Sequence, residues 1–308
     1  MADNSMLSWF RHKSAGGILS LAISVLVLFI LAPAFAKAED GEWPAVSVLK
    51  ICADPFLLPF SNRQKQGYEN KIAELLAKEL NSSLHYEFFP QRMGFIRNTL
   101  RAELDDGSYK CDLVISAPAY FDLAATTQPY YRSVYMLVYA KGRGLDAVTE
   151  PDMLGELSRQ GKKIRFGLFD RGPGQLWVFK HDLMDNMVPY VSQPGAADAN
   201  PGMDILQDII DDKIDVAIVW GPVAGYFYKN NKSDVELVML PLEDDPDNPE
   251  MRFKYSVSMA VRYGEHKWRE QLSQLIKKNQ DKINEILTDY GIPLISMKNS
   301  GSVNVDDN

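Results

Sequence analysis

Histidine and cysteine are scarce in this chain, four and two among 308 residues, and the scarcity excludes several chemistries. A metal centre built on Cys and His needs its ligands at short, regular spacings, and neither His85, His181 nor His266 has such a neighbour. No Ser-His-Asp set for acyl transfer is recognisable either. Glycine fingerprints for nucleotide phosphates are missing: Gly142-Arg143-Gly144 lacks the third glycine of a dinucleotide turn, and no P-loop occurs. Positive charge is in deficit, with 33 Lys and Arg against 41 Asp and Glu for a net of −8. Neither nucleic acid nor an anionic membrane surface is therefore an expected partner. Internal repeats and low-complexity tracts are also lacking.

One long apolar run is present, at residues 18–31, behind Arg11, His12 and Lys13 and ahead of the small-residue sites Ala34-Phe35-Ala36 and Ala36-Lys37-Ala38. This is the layout of a secretory signal peptide, residues 1–36, cleaved after residue 36 or 38. An uncleaved anchor fits less well, because Ser20, Ser24 and Pro33 interrupt or close the run. Cleavage after 36 leaves 31 basic against 40 acidic side chains, a net of −9. No second span follows, so the mature protein is expected to be soluble; it is also expected to be periplasmic and to act as a monomer. An oxidising compartment permits a bridge between Cys52 and Cys111. If their strands are parallel neighbours, however, the offset can exceed the ~7 Å limit for a disulfide, and two buried thiols remain the alternative.

Residues 48–53 read as a buried strand and 69–80 as a helix whose Ile72, Leu75, Leu76 and Leu80 share one stripe. Further strands are expected at 84–89 and 112–116, with a helix over 95–101; the alternation implies a mostly parallel α/β sheet. A β-rich segment at 130–140 leads to a second series, with strands at 164–169, 188–191, 215–220 and 235–240 and helices near 175–181, 203–212 and 223–228. The acidic, proline-containing loop at 243–250 reads as a solvated excursion. Strand-like residues 255–263 and one helical repeat from Trp268 to Tyr290 complete the chain. The helical repeat has no sheet of its own. The chain is therefore expected to build lobe 1 from 39–140 plus 256–308 and lobe 2 from 141–255, with two hinge strands and a central cleft at the strand carboxyl ends.

That order, with Gly67-Tyr68-Glu69 opening the first helix and Thr127-Gln128-Pro129-Tyr130-Tyr131 opening the crossover, resembles the type II periplasmic solute-binding proteins. Four segments resemble more specifically the methanol-dehydrogenase-associated J proteins of the MxaJ/XoxJ type. They are Cys52-Ala53-Asp54-Pro55 with Leu58-Pro59-Phe60-Ser61-Asn62; Gly67-Tyr68-Glu69-Asn70-Lys71-Ile72; Pro90-Gln91-Arg92-Met93-Gly94-Phe95-Ile96-Arg97-Asn98-Thr99-Leu100; and residues 126–133. The resemblance implies a non-catalytic accessory protein that engages the large subunit of a quinoprotein methanol dehydrogenase during assembly or activation. Delivery of a small non-amino-acid ligand to a transporter is the rival reading, and a lyase using Asp54, Glu69 or Asp112 a third.

Amino-acid-binding members of the larger superfamily place an Arg about ten residues before the Pro-Tyr of the crossover and an Asp beyond the strand at 215–219. This chain has Tyr120 and Trp220-Gly221-Pro222 there. A zwitterion left without both partners is costly to bury, so ordinary amino acids are poor cargo. The expected cleft residues are Asp54, Phe60, Tyr68, Glu69, Gln91, Arg92, Tyr120 and Trp220, with Gly174 and Gln175 at a helix start where free N–H groups attract ligands. A peptide or small molecule is the expected occupant. Neither metal nor cofactor is expected.

Overall fold

The computed structural model describes residues 43–297; the signal-peptide expectation lies outside the described residues. In chain order the elements are β1 (Val48–Ala53), β2 (Phe56–Leu57), β3 (Ser61–Asn62), α1 (Tyr68–Leu80), β4 (Ser83–Phe88), α2 (Phe95–Asn98), β5 (Val114–Pro118), β6 (Ala125–Thr126) and β7 (Tyr131–Ala140). There follow α3 (Pro151–Arg159), β8 (Phe166–Phe169), α4 (Pro173–Lys180), β9 (Met187–Tyr190), α5 (Pro201–Ile210), β10 (Val216–Trp220), α6 (Gly221–Asn230) and β11 (Leu237–Pro241). Then come β12 (Lys254–Val261), α7 (His266–Lys278) and α8 (Gln280–Asp289).

Strand β7 is the key to the two-lobed architecture, because its ten residues serve two sheets. Residues 131–134 pair antiparallel with β12, which continues onto β5 and β6. Residues 135–140 pair antiparallel with β10 and β11, and β8 runs parallel between β10 and β9. Strands β7 and β12 therefore carry the chain across and back. In lobe 1, β1 lies parallel to β4 and meets the β5 segment through Ile51 and Leu113.

Packing follows the periodicity. Ile72, Ala73 and Leu76 of α1, Leu272 and Ile276 of α7, and Ile283 and Leu287 of α8 bury themselves against Leu49, Ile51 and Met259. Each large aliphatic side chain so buried contributes about 1.5–3 kcal/mol. The other face of this sheet is covered by Phe95, Ile96 and Leu100. Lobe 2 has a core on each sheet face, one around Phe166, Leu168 and Trp177 and one around Ile205, Leu206 and Ile209. The start of α1 is fixed by Gly67, where a Cβ would lie 2.0 Å from the Phe60 carbonyl oxygen.

The bridge that the sequence left open between Cys52 and Cys111 is formed, with Cα atoms 5.4 Å apart, and several other local expectations are corrected. The chain bends at Asp112, ahead of the Ile51–Leu113 bridge, and so brings Cys111 closer than a straight strand would. The helix expected over 95–101 ends at Asn98, because Asn98 Nδ2 and Thr99 Oγ1 donate to Gly94 O and Phe95 O at 2.9 and 2.6 Å and compete with helix continuation. The single C-terminal repeat is two helices that meet at buried Asn279, whose Nδ2 donates to Leu275 O. The acidic loop is exposed at Glu243 and over 246–250, as expected, and anchored between: Asp244 accepts from the Phe253 and Lys254 amides at 2.7 and 3.0 Å, and Asp245 from Lys180 at 2.9 Å. Helix α3 and the β2–β3 hairpin escaped the sequence reading, since Leu154 is the only large buried apolar residue of α3 and each hairpin strand has two residues.

Candidate functional site

The hinge places an aromatic cavity of about 450 Å³ between the lobes. Tyr131 and Tyr135 come from one face of β7, Tyr255 from β12, and Trp220 from the end of β10, where α6 starts. Phe60, Gln91 and Ser116 complete the lobe 1 side, and Pro173 at the start of α4 the lobe 2 side. The Tyr135 and Trp220 ring centroids are 5.3 Å apart, and each lies 6.0 Å from Tyr255. These tilted and edge-on contacts are favourable aromatic geometry. None of the residues lining the cavity carries a charge.

Behind the Ser116 wall lies a hydroxyl network. Ser116 Oγ is 3.1 Å from the Tyr68 hydroxyl and 3.0 Å from that of Tyr130, and the Tyr68 and Tyr131 hydroxyls are 2.9 Å apart. Burial raises the pKa of Tyr68 and Tyr130 well above the phenol value, so these groups stay protonated. Glu69 is only 4 % exposed, and among the described residues its Oε1 has no hydrogen-bond partner. Burial pushes its carboxyl up to about 8; the Ser116 hydroxyl opposes the rise and Asp54 adds to it. Asp54 organises the loops: Oδ1 accepts from the Phe56 amide at 2.7 Å and Oδ2 from the Gln91 amide at 2.5 Å.

The sequence-derived site residues are thus sorted by the fold. Phe60, Gln91 and Trp220 line the cavity. Tyr68, Glu69 and Asp54 stand behind its wall as support, because α1 directs its first turn into the lobe 1 core. Tyr120 is elsewhere. It sits at φ 61° in the turn after β5, 73 % exposed, beside a separate depression of about 1470 Å³ that it shares with Tyr263 and α7. Its position in the chain matches the superfamily Arg, but that turn carries the side chain outward. Gly174 serves packing, since a Cβ there would lie 2.9 Å from Ile218. Gln175 closes its own turn by accepting from the Arg171 amide at 3.2 Å. At that helix start it is Pro173 that reaches the cavity.

Arg92 makes neither of the intralobe salt bridges open to it, to Asp54 or Glu69. Its Nη1 and Nη2 donate across the cleft to the carbonyls of Pro194 and Ala196 in lobe 2. Beside it the Met93 amide donates to Gln193 Oε1 at 3.2 Å, and Asn200 Nδ2 donates back to Leu58 O at 2.7 Å. The sequence reading missed Tyr131, Tyr135, Tyr255, Ser116 and Pro173 as cleft residues. The two-residue alternation of β7 places Tyr131 and Tyr135 on one face and was available as a signal.

Among the described residues no group of three or more His, Cys, Asp or Glu can hold a metal ion, and no helix is long and apolar enough to cross a membrane. No protein-family model matches the chain. The chain is 24% identical over 299 residues to "Protein MoxJ" of Paracoccus denitrificans, covering 94% of this chain and 99% of that one. Its fold matches the periplasmic binding protein XoxJ from Methylobacterium extorquens AM1 with a TM-score of 0.63 and 31% identity, over 80% of this chain and 99% of that one. MxaJ from Methlophaga aminisulfidivorans MPT matches with a TM-score of 0.66 and 23% identity, over 80% of this chain and 100% of that one.

Proposed function

This chain belongs to the MoxJ/MxaJ/XoxJ family of periplasmic binding proteins, and from that premise we propose that it is a non-catalytic periplasmic accessory protein of a quinoprotein methanol dehydrogenase. It is exported by its N-terminal leader, acts as a monomer, and engages the dehydrogenase large subunit through its cleft during assembly or activation. The observation that supports a binding role over transport of a charged solute is the chemistry of the cavity: five aromatic rings, from Phe60, Tyr131, Tyr135, Trp220 and Tyr255, and no charged side chain in its lining. An uncharged, extended polypeptide segment with an apolar side chain suits such a surface; an amino acid does not. Catalysis lacks support, because Glu69, the group with the raised carboxyl pKa, does not line the cavity.

Binding of the purified dehydrogenase large subunit to Trp220→Ala tests the reading. An aromatic anchor at the centre of an interface contributes about 2 kcal/mol or more, and exposed rim charges much less. Trp220→Ala, with unchanged circular dichroism, is expected to weaken binding more than Glu243→Gln and Glu250→Gln together. Both are exposed, Glu243 pairing only with Lys254 at the surface, whereas Asp244 and Asp245 hold partners that anchor the loop. Affinity should change little between low and moderate salt. Strong salt dependence with indifference to Trp220 would move the contact to an outer surface, and a retained small molecule in the native protein would favour transport.

A further inference from the structure

The closure of the cleft is made by the chain itself. Residues 191–200 connect β9 to α5 in lobe 2 and reach over to lobe 1, where they meet three groups that read main chain or amide. Arg92 offers both guanidinium nitrogens to the Pro194 and Ala196 carbonyls, the Met93 amide takes Gln193 Oε1, and the Leu58 carbonyl accepts from Asn200. Arg92 has no carboxylate partner among the described ion pairs, although its planar fork is the side chain best shaped for one. It is used here on peptide carbonyls.

The segment is held by little else. Ser192 donates its amide to Asp170 within lobe 2, Val191 is 61 % exposed, and residues 192–199 belong to none of the hydrophobic cores. Exposed and half-buried hydrogen bonds with no apolar core beneath them exchange readily with competing donors and acceptors. Gln91, the neighbour of Arg92, lines the aromatic cavity, as does Phe60, two residues beyond Leu58.

We propose that Leu58, Arg92 and Met93 form a binding site for polypeptide main chain, filled in cis by residues 193–200 as a displaceable latch, and that an incoming partner segment takes their place when the cleft opens. The latch stands independently of the partner's identity; the exchange rests on the accessory-protein reading above.

Two variants separate the parts. Asn200→Asp keeps the oxygen that caps α5 by accepting from the Met203 amide but loses the donor to Leu58; combined with Gln193→Ala it loosens the latch and leaves Arg92 intact. Arg92→Ala loosens it from the other side. Small-angle X-ray scattering and acrylamide quenching of tryptophan should show both variants more open than the unaltered chain, with Trp220 more accessible. Because closed molecules must open before they bind, the Gln193→Ala/Asn200→Asp protein should bind the dehydrogenase large subunit several-fold more tightly. Arg92→Ala should show no such gain, having lost the group that receives the partner. If neither variant alters scattering or quenching, the latch is wrong. Opening without any gain in affinity overturns the exchange alone. Failure of every form to bind the dehydrogenase, with opening intact, overturns the accessory-protein reading and leaves the latch standing.

Discussion

Glu69 shows how one residue behind a binding surface sets a pH response. In the unfolded chain its carboxyl releases its proton near the ordinary value of 4.5, while burial keeps it protonated in the fold until about 8. The folded state therefore holds the extra proton across that interval, and stability falls as pH rises through it, then levels off. Glu69→Gln, neutral at every pH, should remove the fall: nearly equal unfolding free energies at about pH 4, and a variant more stable by up to a few kcal/mol at about pH 9, measured by urea titration. A parallel pH dependence in both proteins would show that Glu69 ionises freely in the fold. At this scale the sequence was legible for Gln91, just after β4, and for Trp220, at the end of β10, whereas Phe60 reaches the cavity from the β2–β3 turn, an element the pattern did not show. It was illegible for Tyr120, because a single left-handed backbone angle at that residue decides which side of lobe 1 receives the ring, and no pattern of neighbouring residue types encodes that angle.

Among the elements, α6 and the turn after α8 approach more closely than side chains normally allow. A Cβ on Gly225 would lie 1.9 Å from Gly291 O, and one on Gly291, at φ 74°, 2.6 Å from Gly225 O. Tyr226 and Tyr290 stack beside this contact with centroids 6.0 Å apart, and Lys229 donates to Asp289 O at 2.6 Å. The backbone has no room to yield without separating the lobes at the hinge, so Gly225→Ala should cost about 1–3 kcal/mol and lower the melting temperature accordingly. Calorimetry showing no loss would mean the approach is looser than it stands here. The elements themselves were largely readable, because Ile72, Leu76, Leu272, Ile276 and Ile283 repeat at helical spacing and pack on one sheet. Boundaries were not. The break at Asn279 leaves the apolar repeat uninterrupted, and α2 stops where Asn98 and Thr99 turn their side chains onto the backbone, a choice made by local hydrogen bonds rather than by periodicity.

For the whole molecule, an aromatic cavity without charge in a protein of net charge −8 separates it in behaviour from carriers of zwitterions. Each of the standard amino acids at millimolar concentration should leave the melting temperature unchanged within error, since stabilisation scales with occupancy; a clear upward shift with any of them would show that an ionic clamp has been rebuilt elsewhere. Two lobes and a hinge could be inferred from the sequence because the last helical repeat had no sheet to cover, whereas the latch could not, since residues 191–200 carry no apolar pattern. The threading of the chain has one more result, which concerns time. The principal core of lobe 1 draws on residues 49–131 and again on 257–292, while the cores of lobe 2 lie almost wholly within 134–253. A chain emerging N-terminus first, as in the proposed export, can finish lobe 2 while lobe 1 still waits for α7 and α8, its sheet only partly covered and open to mispairing. Cys52 and Cys111 both emerge long before those helices, so the bridge can tie β1 to the start of β5 early and hold the half-built sheet in register until the last segment arrives.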